Sequence, residues 1–237
     1  MLRRFCPAIP AIIVLVLFAP LGASVGASSA RAETFNPSYL DAEEVLQECV
    51  IFIKRILNDP ENEAMRETLR QAKAIMIFPS ILRLGFIFGI KGGRGVMVVR
   101  RDSGTISYPA FFDIGAVSLG AQAGVETSSV VFAIMSERGV ISLLKERVKL
   151  GADLSIAVGP LGTGTSAATT ARLADIYSYS DSDGIFLGLS LEGAYINSEV
   201  DLNQAFYGKG ASAALVLGSR RYKNSAAEDL MKLLSTL

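Results

Sequence analysis

The chain has 237 residues, with 23 Lys and Arg against 23 Asp and Glu, no histidine and no tryptophan. Without histidine there is no serine–histidine triad, no imidazole general base and no imidazole-ligated metal. The balanced charge lacks the concentrated basic surface that nucleic-acid binding needs, so no nucleic-acid partner is expected.

In chain order, residues 1–32 read as a signal peptide. Arg3 and Arg4 precede an apolar run from Ala8 to Leu21, and Ala30-Arg31-Ala32 offers small residues where a signal peptidase cuts, near Ala32. A retained anchor is the other reading, although Pro10 and Pro20 break the run and about 20 apolar residues are needed to span a bilayer. Cleavage implies a periplasmic or otherwise extracytoplasmic protein. Residues 33–237 then form a single domain with a slight net negative charge and one cysteine, Cys49, so no intramolecular disulfide is available.

From Tyr39 to Asn58, Val45, Leu46, Cys49, Val50, Ile53, Ile56 and Leu57 fall on one helical stripe. Asp59-Pro60 starts a second helix with Met65, Leu69 and Ala72 inward, which makes a helical hairpin. Ala74–Phe78 is a short strand ended by Pro79. Gly85–Arg100 reads as strand, turn at Gly92-Gly93-Arg94-Gly95, strand. Thr105–Gly120 and Ser128–Met135 are further strands. Ser136 caps a short helix carrying Val140, Ile141 and Leu144, and residues 148–159 are extended. Asp175–Ser180 alternates, Asp181-Ser182-Asp183-Gly184 offers a turn, and Ile185, Leu187, Leu189 and Leu191 share one face of a returning strand. Asp201–Tyr207 and Ser225–Leu234 are terminal helices, while 209–223 carries no clear pattern. The fold class is α+β: an N-terminal helical hairpin packed on a mostly antiparallel, strongly curved or barrel-like sheet, with short C-terminal helices.

Few constellations point to chemistry. Gly162-Thr163-Gly164-Thr165-Ser166-Ala167 matches a dinucleotide loop but leads into a Thr/Ala tract and a strand, where a crossover helix is required. Asp181–Gly184 places its glycine too early for a calcium loop. Cys49 lies in the apolar stripe, and no carboxylate pair stands out, so no catalytic residues, metal or cofactor are expected. Lys91, Arg94, Arg100 and Arg101 cluster in sequence around the glycine run and are the candidates for holding an anionic lipid headgroup; solvated charges on a hairpin are the plainer reading.

Several segments together resemble the SYLF domain family: Lys91–Gly95, Gly104–Phe112, Ser118–Gly124, Leu150–Asp153, Val158–Pro160, Ile176–Ser180 with Tyr177 and Tyr179, Ser190–Ala194 with Glu192, and Asp201 to Gly208. One departure is Ile106, where the family usually has tryptophan. The resemblance implies a non-enzymatic module; eukaryotic relatives bind phosphoinositide membranes or actin filaments. With a signal peptide, this chain reads as an exported, bacterial-type member for which association with anionic lipid or a membrane surface transfers more readily than actin binding. A structural or protein-interaction module with an envelope protein partner is the alternative.

Overall fold

Chain order begins with the expected helical hairpin. The computed structural model describes residues 37–85, 88–119, 124–145, 147–159, 174–180 and 191–237. Helix α1 spans Pro37–Asn58 and buries Ala42, Val45, Leu46, Cys49, Phe52, Ile53 and Ile56. Asp59 ends it and caps the next turn, its Oδ1 accepting from the Glu61 amide at 2.9 Å. Helix α2, Glu63–Gln71, turns Met65, Thr68 and Leu69 inward. The corner is closed by Arg66, whose Nη1 donates to the carbonyls of Ile56, Leu57 and Asp59 at 3.2, 3.1 and 2.7 Å. Carbonyls are left open where a helix stops, and a guanidinium that meets those of Ile56 and Leu57, together with the Asp59 carbonyl that also accepts from the Asn62 amide at 3.2 Å, fixes the hairpin angle.

The strands are β1 (Ala74–Gly85), β2 (Phe88–Val99), β3 (Ala110–Leu119), β4 (Gly124–Ile134), β5 (Arg147–Lys149), β6 (Ile156–Val158), β7 (Ile176–Ser180) and β8 (Tyr195–Ser198), with α3 (Glu137–Leu143) between β4 and β5. They form one strongly curled, half-barrel sheet in the order β5-β8-β3-β2-β1-β4-β7-β6. Every described pairing is antiparallel except β6 with β7. The chain ends in α4 (Val200–Tyr207), α5 (Ala213–Gly218) and α6 (Glu228–Leu234). Residues Asn36–Leu237 make one compact unit, and the expected leader lies outside the described residues.

Side-chain alternation divides the sheet into two apolar layers. Ile75, Ile77, Val96, Val98, Phe111, Val131, Ala133, Tyr177 and Tyr179 face α1, α2, α4 and α6. Met76, Phe78, Met97, Phe112, Ile114, Val130, Phe132 and Ile134 face the other way, where Leu143 of α3, Val148, Ile196 and Val216 of α5 cover them. The central strands are thus buried on both faces over Ala74–Phe78, Val96–Val98 and Val130–Ile134, the stretches in which every residue is apolar. Asn203 of α4, fully buried, ties the layers together. Its Oδ1 accepts from the Phe111 amide at 3.0 Å, and its Nδ2 donates to the carbonyls of Phe111 and Glu199 at 2.9 and 2.8 Å. A side-chain amide here takes the place of a neighbouring strand.

Several expected boundaries move. Pro79 does not end β1: the strand bulges, its register slipping between Ile77 and Leu82 against β2 and between Phe78 and Ile81 against β4. The Gly92–Gly95 run is not a turn but the middle of β2. A Cβ on Gly93 would strike the Ser80 carbonyl oxygen, and one on Gly95 the Ile77 carbonyl oxygen and, at 2.6 Å, the Phe78 ring. The glycines let the bulged strand press in. β3 starts at Ala110, later than expected, since upstream only Ile106 bridges to Arg100. Residues 148–159 are two short strands about a turn. Ser136 does cap α3, its Oγ accepting from the Gly139 amide at 2.9 Å, but Ile141 is 63% exposed and Leu143 is the buried residue. The patternless 209–223 segment contains α5, capped by Ser212. The neighbours of β7 are β4 and β6; the expected returning strand lies, apart from the buried Leu191, outside the described residues, as do the glycine loop at 162–167 and the turn at 181–184.

Candidate functional site

The four cations grouped around the glycine run do not converge. With β2 continuous, Lys91 and Arg100 stand about 30 Å apart at ~3.3 Å per strand residue. Lys91 is on the face away from α1 and only 6% exposed; its neighbour across the strands is Arg83, which is itself paired with Glu126 at 3.5 Å. Burial first, and Arg83 second, hold the Lys91 ammonium below the usual lysine range. Arg94 points to the helix side and meets Asp41 of α1 at 3.1 Å. Arg101 bridges two carbonyls, Ile106 and Ser219, both at 3.1 Å, so it tethers the β2–β3 connection to the end of α5. Arg100 keeps Nε and Nη2 buried without a hydrogen-bond partner among the described residues.

The motif residues take structural places. Tyr177 and Tyr179 lie in the helix-side core, where burial pushes the Tyr179 hydroxyl up to about 12. A Cβ on Gly159 would run into the Tyr179 ring, so that glycine lets the ring lie flat against the chain. Glu192 is exposed in the turn before β8, its Cγ close to Gly151. Ile106 is buried at 7% exposure in the helix-side core. Cys49 is wholly buried and its thiol is pushed up by burial, the reverse of an activated nucleophile. Among the described residues, no group of three His, Cys, Asp or Glu is placed to hold a metal.

A different feature stands out at the end of the sheet beyond α1. Past the Arg94–Asp41 contact the helix no longer covers the face. Cross-strand register there aligns Val125 of β4, Leu84 of β1, Ile90 of β2 and Val117 of β3 in one row. They are 73, 46, 65 and 80% exposed, with Leu82 at 41% in the row behind. At ~4.8 Å per strand the row runs about 14 Å. Scattered single apolar residues on a surface are ordinary; a row across four strands on one face is a contiguous patch. Arg94 shares the face of the row and is paired with Asp41, whereas Arg83 projects from the opposite face beside Lys91 and is paired with Glu126. Sequence reasoning misses this row because a turn at Gly92–Gly95 breaks the register that brings Ile90 beside Val117. The available signal is the alternation Leu82, Leu84 and Ile90 itself.

A family model described as "Las17-binding protein actin regulator" (Ysc84) matches residues 115–237. Protein YSC84 of Saccharomyces cerevisiae is 33% identical over 172 residues, 71% of this chain and 36% of that protein. LAS seventeen-binding protein 3 of the same species is 32% identical over 174 residues, 72% of this chain and 38% of its own. The human SH3 domain-containing YSC84-like protein 1 is 30% identical over 197 residues, 82% and 57% respectively. The chain thus spans between about a third and somewhat over half of these relatives. No solved structure matches it.

Proposed function

The chain belongs to the Ysc84 (SYLF-domain) family of actin regulators, and we propose that it is a non-catalytic member that docks on the surface of an anionic lipid membrane. The observation that carries this reading is the uncovered aliphatic row Val125–Leu84–Ile90–Val117. Inserting an aliphatic side chain into an apolar phase gains roughly 1.5–3 kcal/mol when burial is complete. Four partly exposed side chains in one line therefore offer several kcal/mol to a bilayer interface. Arg94, half-exposed on the same face and paired with Asp41, adds a weak attraction to acidic headgroups within a Debye length. With the expected leader at residues 1–32, the reading assigns this surface to the periplasmic or extracytoplasmic side.

Flotation with vesicles tests the reading. Wild type is expected to float with phosphatidylcholine vesicles containing 30% phosphatidylglycerol more than with phosphatidylcholine alone, and Ile90→Asp/Val117→Asp to stay at the bottom. Each substitution is expected to weaken binding about tenfold, the cost of holding a carboxylate at an apolar boundary. Flotation of the double variant equal to wild type ends the proposal. The intact mass of protein recovered from cells reports in the same experiment whether it begins at Glu33.

A second reading has its own support: the family description names a protein ligand, Las17. The same row would then receive an apolar segment of an envelope protein, and lipid composition would make no difference to binding.

A further inference from the structure

On the opposite side from α1, α3 and β5 enclose an open cleft of about 400 Å³ lined by Arg138, Ser142, Lys145, Arg147, Val148 and Asp153. Among the described lining residues, three are cations and one is an acid. Such convergence of like charge is mildly unfavourable in a solvated surface cleft, and an anion from outside relieves it. The internal partners are few. Arg138 uses Nη2 on Asp175 at 2.6 Å, which orients the guanidinium and leaves its other nitrogens without a hydrogen bond among the described residues. Arg147 stacks on the Tyr195 ring with its guanidinium carbon 3.8 Å from the centroid. That contact holds the fork in place without occupying its N–H groups. Lys145 and the Ser142 hydroxyl have no ion pair or side-chain hydrogen bond among the described residues. Asp153 is committed in part, one carboxylate oxygen accepting from the Lys149 amide at 2.8 Å. Val148, 1% exposed, is an apolar floor.

From this arrangement we infer that the α3–β5 cleft is a binding site for a phosphate-bearing ligand, held by Lys145, Arg147 and Arg138 with Ser142 as a neutral donor. A tetrahedral dianion offers oxygens in several directions at once and suits two forks, an ammonium and a hydroxyl that approach from different elements. A planar carboxylate would engage one fork and leave the other cations unmatched. The volume is that of a small-molecule site and exceeds what a single ion fills, so the phosphate belongs to a larger molecule. Both a soluble phosphomonoester and a phospholipid headgroup carry this chemistry. The inference does not depend on the membrane reading above, because the aliphatic row lies on the other face of the sheet.

Calorimetry on the full chain with inorganic phosphate and glycerol phosphate, at low salt, tests the soluble source. Co-flotation with phosphatidylcholine vesicles carrying phosphatidic acid, in an Ile90→Asp background, tests the lipid source. Saturable binding in either arm, weakened about tenfold or more by Lys145→Ala/Arg147→Ala and strengthened a few-fold by Asp153→Asn, is the expected result. The gain in Asp153→Asn separates a ligand site from a structural role, since removing a like charge helps only if an anion enters. Both substituted cations are surface residues, and a thermal melt of each variant confirms folding. Ile90→Asp leaves glycerol phosphate binding unchanged. No saturable binding in either arm, or binding indifferent to the double variant, overturns the inference.

Discussion

Asp175 shows how one side chain can organise a neighbourhood. Its carboxylate is 8% exposed and accepts from Arg138 at 2.6 Å, from the Ser136 hydroxyl at 2.7 Å, and from the Ser155 hydroxyl and amide at 2.8 and 3.2 Å. It joins the start of α3, the approach to β6 and the first residue before β7. The Arg138 hydrogen bond, helped by the serines, holds the carboxyl well below the usual carboxylate range. A group depressed in the folded state stabilises it fully above the unfolded value near 4, and the contribution fades as pH falls below that value toward the folded one. Asp175→Asn keeps the shape and loses the charge; hydrogen bonds to a charged group contribute ~1.5–3 kcal/mol each, and partial replacement by the amide leaves a net loss of about 2–3 kcal/mol at pH 7. Urea unfolding at pH 7 and pH 3 checks both parts: the gap between wild type and variant is expected to narrow at the lower pH. In the sequence, Ser136 is legible as a cap because a serine before a helical stripe has one common use. Asp175 is not, because its four donors come from segments up to 39 residues away.

At the level of elements, β1 and β2 separate what local pattern reveals from what packing decides. The stripe of α1, the Asp59-Pro60 junction and the strand at Ser128–Met135 follow from periodicity and caps; the structure contains all three, with α1 starting two residues earlier than expected, at Pro37, and β4 four residues earlier, at Gly124. The glycine run reads wrongly as a turn for a physical reason: glycine marks a turn when the chain must reverse, and equally marks a strand where another backbone comes too near for a Cβ. Only the partner strand distinguishes the two, and here it is β1, bulged at Pro79-Ser80. The distinction is testable within one strand. A methyl on Gly92 would meet nothing nearer than the Ile114 carbonyl oxygen at 3.7 Å, so Gly92→Ala is expected to be neutral or slightly stabilising. Gly95→Ala drives a methyl into the Ile77 carbonyl and the Phe78 ring and is expected to cost about 2–3 kcal/mol or more. Equal denaturation midpoints for the two variants would remove the close-approach account of the run.

Across the whole molecule, the two apolar layers are unequal in length, and this produces the exposed row. The helices α1, α2, α4 and α6 cover the helix-side face as far as Arg94 and Asp41, whereas β1–β4 continue for several residues beyond. Fold and surface are therefore separable by mutation. Phe112, fully buried between β3 and its neighbours, holds the layer under α5, and Phe112→Ala is expected to cost ~3–5 kcal/mol through lost burial and the cavity left behind. Ile90 and Val117 touch mainly solvent on their outward sides, at 65 and 80% exposure, so Ile90→Ser/Val117→Ser is expected to change stability by no more than about 1 kcal/mol. The same pair should reduce vesicle binding markedly. If chemical denaturation shows the serine pair to be as damaging as Phe112→Ala, the row is part of the core that stabilises the sheet, and its availability to a membrane or partner fails with it.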